Sequence, residues 1–191
     1  MFIPRHPVVE NQFCSYVSQT ATAAAGIGGV IAYAGSVVYL DSSAANQEPM
    51  VIKMDEDQTP FGFLMQKVKT GYHQVHPAGF MMPGDLGSSD AIAQPQYDAT
   101  GNITGTKAVP VGVAHLGIWD TVHYTSDDDT AVLPGEALVA STDEAKVIKS
   151  GGATAVNATV VARVVKGASA AKATANKANT TLYPIRIKLL V

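Results

Sequence analysis

Short runs of β-branched and aromatic residues recur along the chain from residue 26 to its end, and glycine, proline, aspartate and asparagine separate them. This pattern is typical of β-strands joined by turns. No stretch repeats apolar residues at the spacing of an amphipathic helix over three turns. The pattern predicts an all-β fold with strands at 30–33, 36–41, 50–55, 62–68, 108–116, 121–125, 137–141, 146–149, 159–166 and 182–191.

The first 25 residues are predicted to form an extended N-terminal arm. Pro4 and Pro7 fix the backbone and remove two hydrogen-bond donors, which disfavours a helix. Large apolar side chains follow no clean period and cannot be buried within an isolated extended segment. The arm therefore lies either over its own domain or on a neighbouring molecule, and we favour the neighbour. The predicted interface residues of the arm are Phe2, Ile3, Val8, Val9, Phe13 and Tyr16.

Residues 26–191 are predicted to form one small β-barrel or sandwich with a long loop at 71–107. That loop contains several prolines and glycines, and a connection of this length is uncommon unless it is functional or disordered. The alanine-rich stretch 168–178 carries no large apolar residue. It is predicted to be a loop with at most a short exposed helix.

A weak internal repeat is visible about 100 residues apart. Residues 35–41, 51–53 and 61–68 are matched in order and character by residues 135–141, 147–149 and 159–166. Each set predicts a meander of three strands, and two meanders could close into one barrel or sandwich that protects its own edges. Chance recurrence in a β-rich chain is the alternative interpretation.

Charge is scarce in this chain. Charged residues make up 15% of the sequence and apolar residues 47%, whereas soluble domains carry about 25% charged residues. A surface of small polar side chains suits contacts with other proteins. The net charge of −3 and the lack of a basic run argue against nucleic acid as a partner. Residues 21–40 are uncharged, but their glycines and β-forming residues favour a broken β segment over a membrane span.

Few residues indicate chemistry. Cys14 is the single cysteine, so neither an intramolecular disulfide nor a cysteine-based zinc site is expected. His73 and His76 could begin a metal site but lack clear further ligands. The segment from His115 to Asp129 brings Ser, His and Asp together without a nucleophile-elbow motif. The sequence therefore predicts no catalytic residue, no metal site and no cofactor.

Trp119 is the only tryptophan, and it is either a core residue or an exposed anchor for assembly. We include it among the candidate interface residues.

The second half of the chain carries a recognisable series of motifs. In order they are Val111-Gly-Val-Ala, Trp119-Asp-Thr-Val-His-Tyr, Leu133-Pro-Gly-Glu-Ala-Leu-Val, Ala145-Lys-Val-Ile-Lys-Ser-Gly, Ala158-Thr-Val-Val-Ala-Arg-Val-Val and Ile185-Arg-Ile-Lys-Leu-Leu-Val. This layout resembles the small β-barrel decoration, or cement, proteins of tailed-bacteriophage heads. The resemblance implies a homo-oligomer, commonly a trimer, that binds the major capsid protein on the outer surface of the virion.

We therefore expect a non-enzymatic structural protein of the virion that stabilises an icosahedral shell by multivalent contacts. Two alternatives stay open at this point. One is a different virion component, such as a tail, head-to-tail or fibre-base protein. The other is a small β-barrel enzyme or metal- or ligand-binding module that uses the His73/His76 loop or the His115–Asp129 region.

Overall fold

The structure is a computed structural model and describes residues 2–5, 11–17, 30–42, 49–55, 57–70, 90–127 and 129–191. Within these residues the strands are β1 Phe2–Pro4, β2 Asn11–Tyr16, β3 Val30–Ala32, β4 Val37–Leu40, β5 Met50–Lys53, β6 Gly62–Leu64, β7 Lys67–Thr70, β8 Asp90–Ala93, β9 Pro95–Tyr97, β10 Ile103–Thr106, β11 Val109–Ala114, β12 Ile118–Thr121, β13 Ala137–Ala140, β14 Val147–Lys149, β15 Ala162–Lys166 and β16 Ile185–Leu189. A short helix, α1, spans Ala170–Lys177. The predicted all-β class is confirmed.

Five strands close into a barrel in the order β11-β2-β5-β4-β6. Strand β2 joins the ring through antiparallel pairing with β11 and parallel pairing with β5. Apolar side chains that alternate along these strands fill the interior, as period-two patterning requires. They include Cys14, Tyr16, Val38, Val51, Leu64, Val111 and Val113. A separate small sheet of β3, β7 and β8 packs its buried side chains into the same core.

The other large element is a six-stranded sheet in the order β1-β12-β16-β15-β13-β14. It curls, because Tyr124, just beyond β12, forms a parallel bridge with Val147 of the edge strand β14. Its core contains Trp119, Tyr124, Leu138, Ile185, Ile187 and Leu189, and it also receives Val37 and Phe63 from the outer face of the barrel. The barrel and the sheet therefore share one continuous apolar cluster.

The internal repeat is confirmed by strand pairing. Strand β4 lies between β5 and β6 in the barrel, and β13 lies between β14 and β15 in the sheet. The registers agree residue by residue: Val37↔Phe63 and Val38↔Lys53 in the first meander correspond to Ala137↔Arg163 and Leu138↔Lys149 in the second. The two meanders belong to different sheets, so they do not close into one barrel as the sequence suggested.

The prediction that the first 25 residues form an arm on a neighbour is wrong for the described residues 2–5 and 11–17. Strand β1 pairs with β12, and β2 is a member of the barrel. The Phe2 ring stacks on Trp119 with 4.4 Å between centroids and on Phe63 with 5.8 Å. Strands β12, β11 and β5 supply the pairing partners of this segment, and Trp119 and Phe63 supply the contact for the Phe2 ring. All of these partners lie elsewhere in the chain, so the sequence of residues 1–25 alone does not predict them.

The long-loop prediction is wrong for residues 90–106, which form β8, β9 and β10. Strands β9 and β10 make a hairpin in which residues 96–102 are exposed, and their sequences carry no alternation of apolar and polar residues that would predict them. Residues 71–89 lie outside the described part of the chain.

Helix α1 forms as short as expected but is not fully exposed, since Ala173 and Asn176 are buried. In the described ranges no helix has the length and apolar character that a membrane crossing needs.

Candidate interaction surfaces

The described surface keeps several large apolar side chains in solvent. Phe13 is 78% exposed, Tyr97 59%, Leu182 56% and Leu133 55%. Single exposed apolar residues such as Leu182 are normal. Phe13 and Tyr97, however, stand on strands β2 and β9, and Leu133 adjoins the turn at Pro134 and Gly135. They are the starting points for contacts with other molecules.

The residues predicted for the interface divide into three groups. Phe2, Tyr16 and Trp119 are 8%, 1% and 1% exposed, so they belong to the core of this chain and their assignment to an exposed interface is wrong. Ile3 and Phe13 are exposed. Val8 and Val9 lie outside the described residues.

Phe13 projects from the outer face of the barrel. Its partner across the strand pair is Gly112, which offers no side chain for the ring to pack against. The backbone of Gly112 is held by a hydrogen bond from its N–H to Gln66 Oε1 at 2.6 Å. The phenyl ring therefore projects from a hydrogen-bonded strand pair, and most of its surface is exposed to solvent.

Residues 96–102 of the β9–β10 hairpin are all exposed. Asp98 organises its tip: Oδ1 accepts hydrogen bonds from the backbone N–H of Thr100 and of Asn102, each at 2.8 Å, and from Thr100 Oγ1 at 2.7 Å. These bonds stabilise the carboxylate and lower the pKa of Asp98 to about 2. Tyr97 immediately precedes this tip and pairs with Ile103 across the hairpin.

The barrel and the sheet meet at a polar junction. Here Ser36 Oγ and His123 Nε2 lie 3.0 Å apart, and each lies within hydrogen-bond distance of the backbone oxygen of Glu144, at 3.2 and 3.0 Å. The Tyr33 ring stacks on His123 with 5.2 Å between centroids, and the Val37 N–H donates to Ala145 O at 2.9 Å. We call this set of contacts the barrel–sheet junction.

Burial at the junction lowers the pKa of His123 from 6.5 to about 4, and the nearby Lys146 charge acts in the same direction. The imidazole is therefore neutral near pH 7. Because Nε2 faces the Glu144 carbonyl oxygen, the proton resides on Nε2, where it is donated. A nitrogen that already carries a proton cannot accept one from Ser36, and Ser36 itself is fully buried. Ser36 and His123 therefore form an internal structural contact rather than a nucleophile and its general base.

The other residues of the proposed His115–Asp129 region have different partners. His115 Nδ1 hydrogen-bonds Phe61 O at 2.9 Å, while Asp127 Oδ1 accepts the backbone N–H of Ala153 at 3.0 Å. Ser126 is buried with no hydrogen-bond partner for its hydroxyl. The structure does not bring these groups together with His123 in one site.

Metal ligands do not gather in the residues that the structure describes, where no group of three or more His, Cys, Asp or Glu side chains is placed to hold an ion. His73 and His76 lie outside those residues.

An ion-pair cluster anchors β1. Asp120 accepts hydrogen bonds from Arg186 Nε at 2.8 Å and from Arg5 Nε at 2.6 Å. These guanidinium groups, Arg186 first, hold the pKa of the Asp120 carboxyl below its usual range. The cluster fixes Arg5, next to β1, onto strands β12 and β16 of the six-stranded sheet.

Comparison of the sequence with protein-family models and with curated proteins found no match.

Proposed function

We propose that this chain is a non-enzymatic decoration protein that binds the outside of a tailed-bacteriophage head and stabilises the shell. The resemblance of its second half to cement proteins motivates the proposal. The single observation that carries it is the placement of exposed apolar side chains, above all Phe13 and Tyr97, on rigid β-structure, while the candidate chemical groups that the structure describes are spent on internal contacts.

A charge-poor surface gains little from each contact, so a decoration protein needs several contacts at once. The β9–β10 hairpin supplies one of them. Its tip is ordered by Asp98 before any partner binds, which reduces the entropy lost on binding. We assign Tyr97 as the residue of this hairpin that enters the shell surface.

The first test replaces Tyr97 with serine and measures co-sedimentation of the purified protein with undecorated shells of the phage that encodes it. Exposed aromatic anchors commonly contribute about 1–3 kcal/mol to binding, so attachment should weaken by roughly ten-fold or more. Leu182→Ser is the matched control, because Leu182 is almost equally exposed but lies far along the chain from the hairpin. Equal binding by both variants would contradict the assignment of Tyr97, and no binding by the unaltered protein would contradict the proposed function.

A further inference from the structure

A turn of the barrel packs tightly against the six-stranded sheet within each chain. The barrel presents the turn at residues 33–37, here called the docking turn, to the six-stranded sheet. Gly35 approaches so closely that a Cβ at this position would lie 2.9 Å from Thr121 Oγ1 and 3.2 Å from His123 Cβ. Together with the bonds of Ser36 and Val37, this seats the docking turn on a receiving face that contains Thr121 and His123.

The repeat builds the same turn a second time, at residues 133–137, here called the open turn. Both turns use a glycine with positive φ, 96° at Gly35 and 89° at Gly135. The glycine N–H bonds the same neighbour in each, Leu64 O at 2.7 Å and Val164 O at 2.8 Å. The first turn residue donates its N–H to the side chain three residues on in both copies, Tyr33 to Ser36 Oγ and Leu133 to Glu136 Oε2.

The open turn is held by bonds within its own meander, including one from Arg163 Nη1 to Gly135 O at 3.1 Å, and its outer side is in solvent. Leu133, Pro134 and Gly135 are all exposed, and a Cβ added at Gly135 would meet no atom within 4 Å. Residues beside the two turns show the same contrast. Lys53 reaches across the junction to Glu144 at 2.8 Å, whereas its equivalent Lys149 pairs with Glu136 of its own meander at 2.9 Å.

The receiving face is also repeated. Tyr124 bridges Val147 in the sheet, and Tyr16 pairs in parallel with Val51 in the barrel. The following residues make matching hydrogen bonds, Thr125 N to Val147 O at 2.9 Å and Val17 N to Val51 O at 3.1 Å. Counted back from these two tyrosines, Phe13 and Ser15 correspond in sequence to Thr121 and His123. The backbones differ locally, since Ser15 N–H donates to Pro49 O at 2.9 Å and His123 N–H donates to Thr121 Oγ1 at 3.0 Å. In the sheet these places are covered by the docking turn, and in the barrel Phe13 is 78% exposed.

We propose that copies of this chain associate head to tail, with the open turn of one copy seated on the Phe13 and Ser15 face of the next. The occupant is a second copy because this contact continues the junction already present within each chain. By the correspondence above, Leu133 would lie over Ser15, as Tyr33 lies over His123, and Phe13 would lie beside Gly135, as Thr121 lies beside Gly35. The two surfaces differ, so the contact propagates, and it forms a closed ring or an open filament according to the rotation per step. This inference rests on the proposed function, which needs several shell contacts at once and therefore favours an oligomer.

The test uses Leu133→Asp, which spoils the open turn, and Phe13→Asp, which spoils the receiving face. Sedimentation velocity is measured over roughly a hundred-fold range of concentration, because association follows mass action. The unaltered protein should shift from monomer to larger species, and each variant alone should stay monomeric. An equimolar mixture should give a dimer of one copy of each and nothing larger, since every such dimer retains only spoiled surfaces.

Leu182→Asp is the matched control for an exposed leucine outside both surfaces and should associate like the unaltered protein. Melting curves confirm that each variant is folded, and Phe13→Ser replaces Phe13→Asp if the latter unfolds. The inference is overturned if the unaltered protein stays monomeric, if either variant assembles normally, or if the mixture stays monomeric. If both variants assemble normally while the unaltered protein binds shells, the head-to-tail contact is wrong and the proposed function stands. If head-to-tail dimers form but the protein does not bind shells, only the proposed function is wrong.

Discussion

Gly35 and Gly135 show how a single residue type serves two purposes. Both adopt a φ that L side chains rarely adopt, so the turn geometry demands glycine at each position. Only Gly35 also lies against other residues, because its turn is the one that seats on the sheet. Substitution of Gly135 therefore measures the free energy of backbone strain alone, whereas substitution of Gly35 measures that strain together with the steric clash at the junction.

The alanine variants of the two glycines should differ in stability. Gly135→Ala should lower the free energy of unfolding by about 1–2 kcal/mol through strain alone. Gly35→Ala should lose a further 1–3 kcal/mol, roughly the cost of overpacking, since its Cβ would press on Thr121 and His123. Urea denaturation of both variants measures the difference, and equal losses would show that the junction yields to accommodate the methyl group.

Among the elements, those with runs of apolar and β-branched residues could be predicted from sequence and those without could not. Strands β4, β5, β13 and β14 carry such runs and bury several of their residues, so their positions were predicted to within a few residues. The β9–β10 hairpin buries little and carries no such signal. The candidate surfaces were largely missed for a related reason, because exposure of Leu133 or Tyr97 depends on which neighbours the fold supplies.

Helix α1 was predicted as exposed because its sequence lacks a large apolar residue, and its docking instead depends on Asn176. The Asn176 Nδ2 donates to Val122 O at 3.0 Å and to Tyr124 O at 3.1 Å, while Oδ1 accepts the Tyr183 N–H at 3.3 Å. A polar side chain thus replaces the apolar stripe that a docked helix usually shows. Sequence patterns alone do not reveal this kind of anchor.

Replacing Asn176 with aspartate should cost about 3 kcal/mol or more of the free energy of unfolding. The change removes both donors and sets a buried carboxylate against two carbonyl oxygens. Asn179→Asp is the matched control. Asn179 is exposed but has a positive φ of 54° just after the helix, so its effect should stay within about 1 kcal/mol. Thermal unfolding of the two variants gives the comparison, and similar melting temperatures would contradict the anchoring role.

For the whole molecule, the barrel–sheet junction links stability to pH. His123 is neutral in the folded chain, because burial lowers its pKa to about 4, whereas the unfolded chain titrates near 6.5. Between these values only the unfolded state takes up the proton, so acid favours unfolding. The contribution is complete above pH 6.5 and is lost as the pH falls toward 4. The carboxyl groups of Asp120 and Glu136 have lowered pKa values and act at more acidic pH.

The expected loss from His123 is about 3 kcal/mol between pH 6.5 and 4, since each pH unit corresponds to about 1.4 kcal/mol. His123→Gln should remove most of this dependence and leave a lower but flatter stability in that window. Urea denaturation at pH 7, 6, 5 and 4 tests it directly. A variant with the same slope as the unaltered protein would place the acid sensitivity elsewhere.

Strand β1 can take its place only after a distant part of the chain has been synthesised. Its pairing partner is β12, more than a hundred residues later along the chain. Until then the Phe2 ring has no Trp119 to stack on, and this edge of β12 stays unpaired. Formation of the β1–β12 pair is therefore a long-range step, which we expect to be slower than formation of the short hairpins in the same sheet.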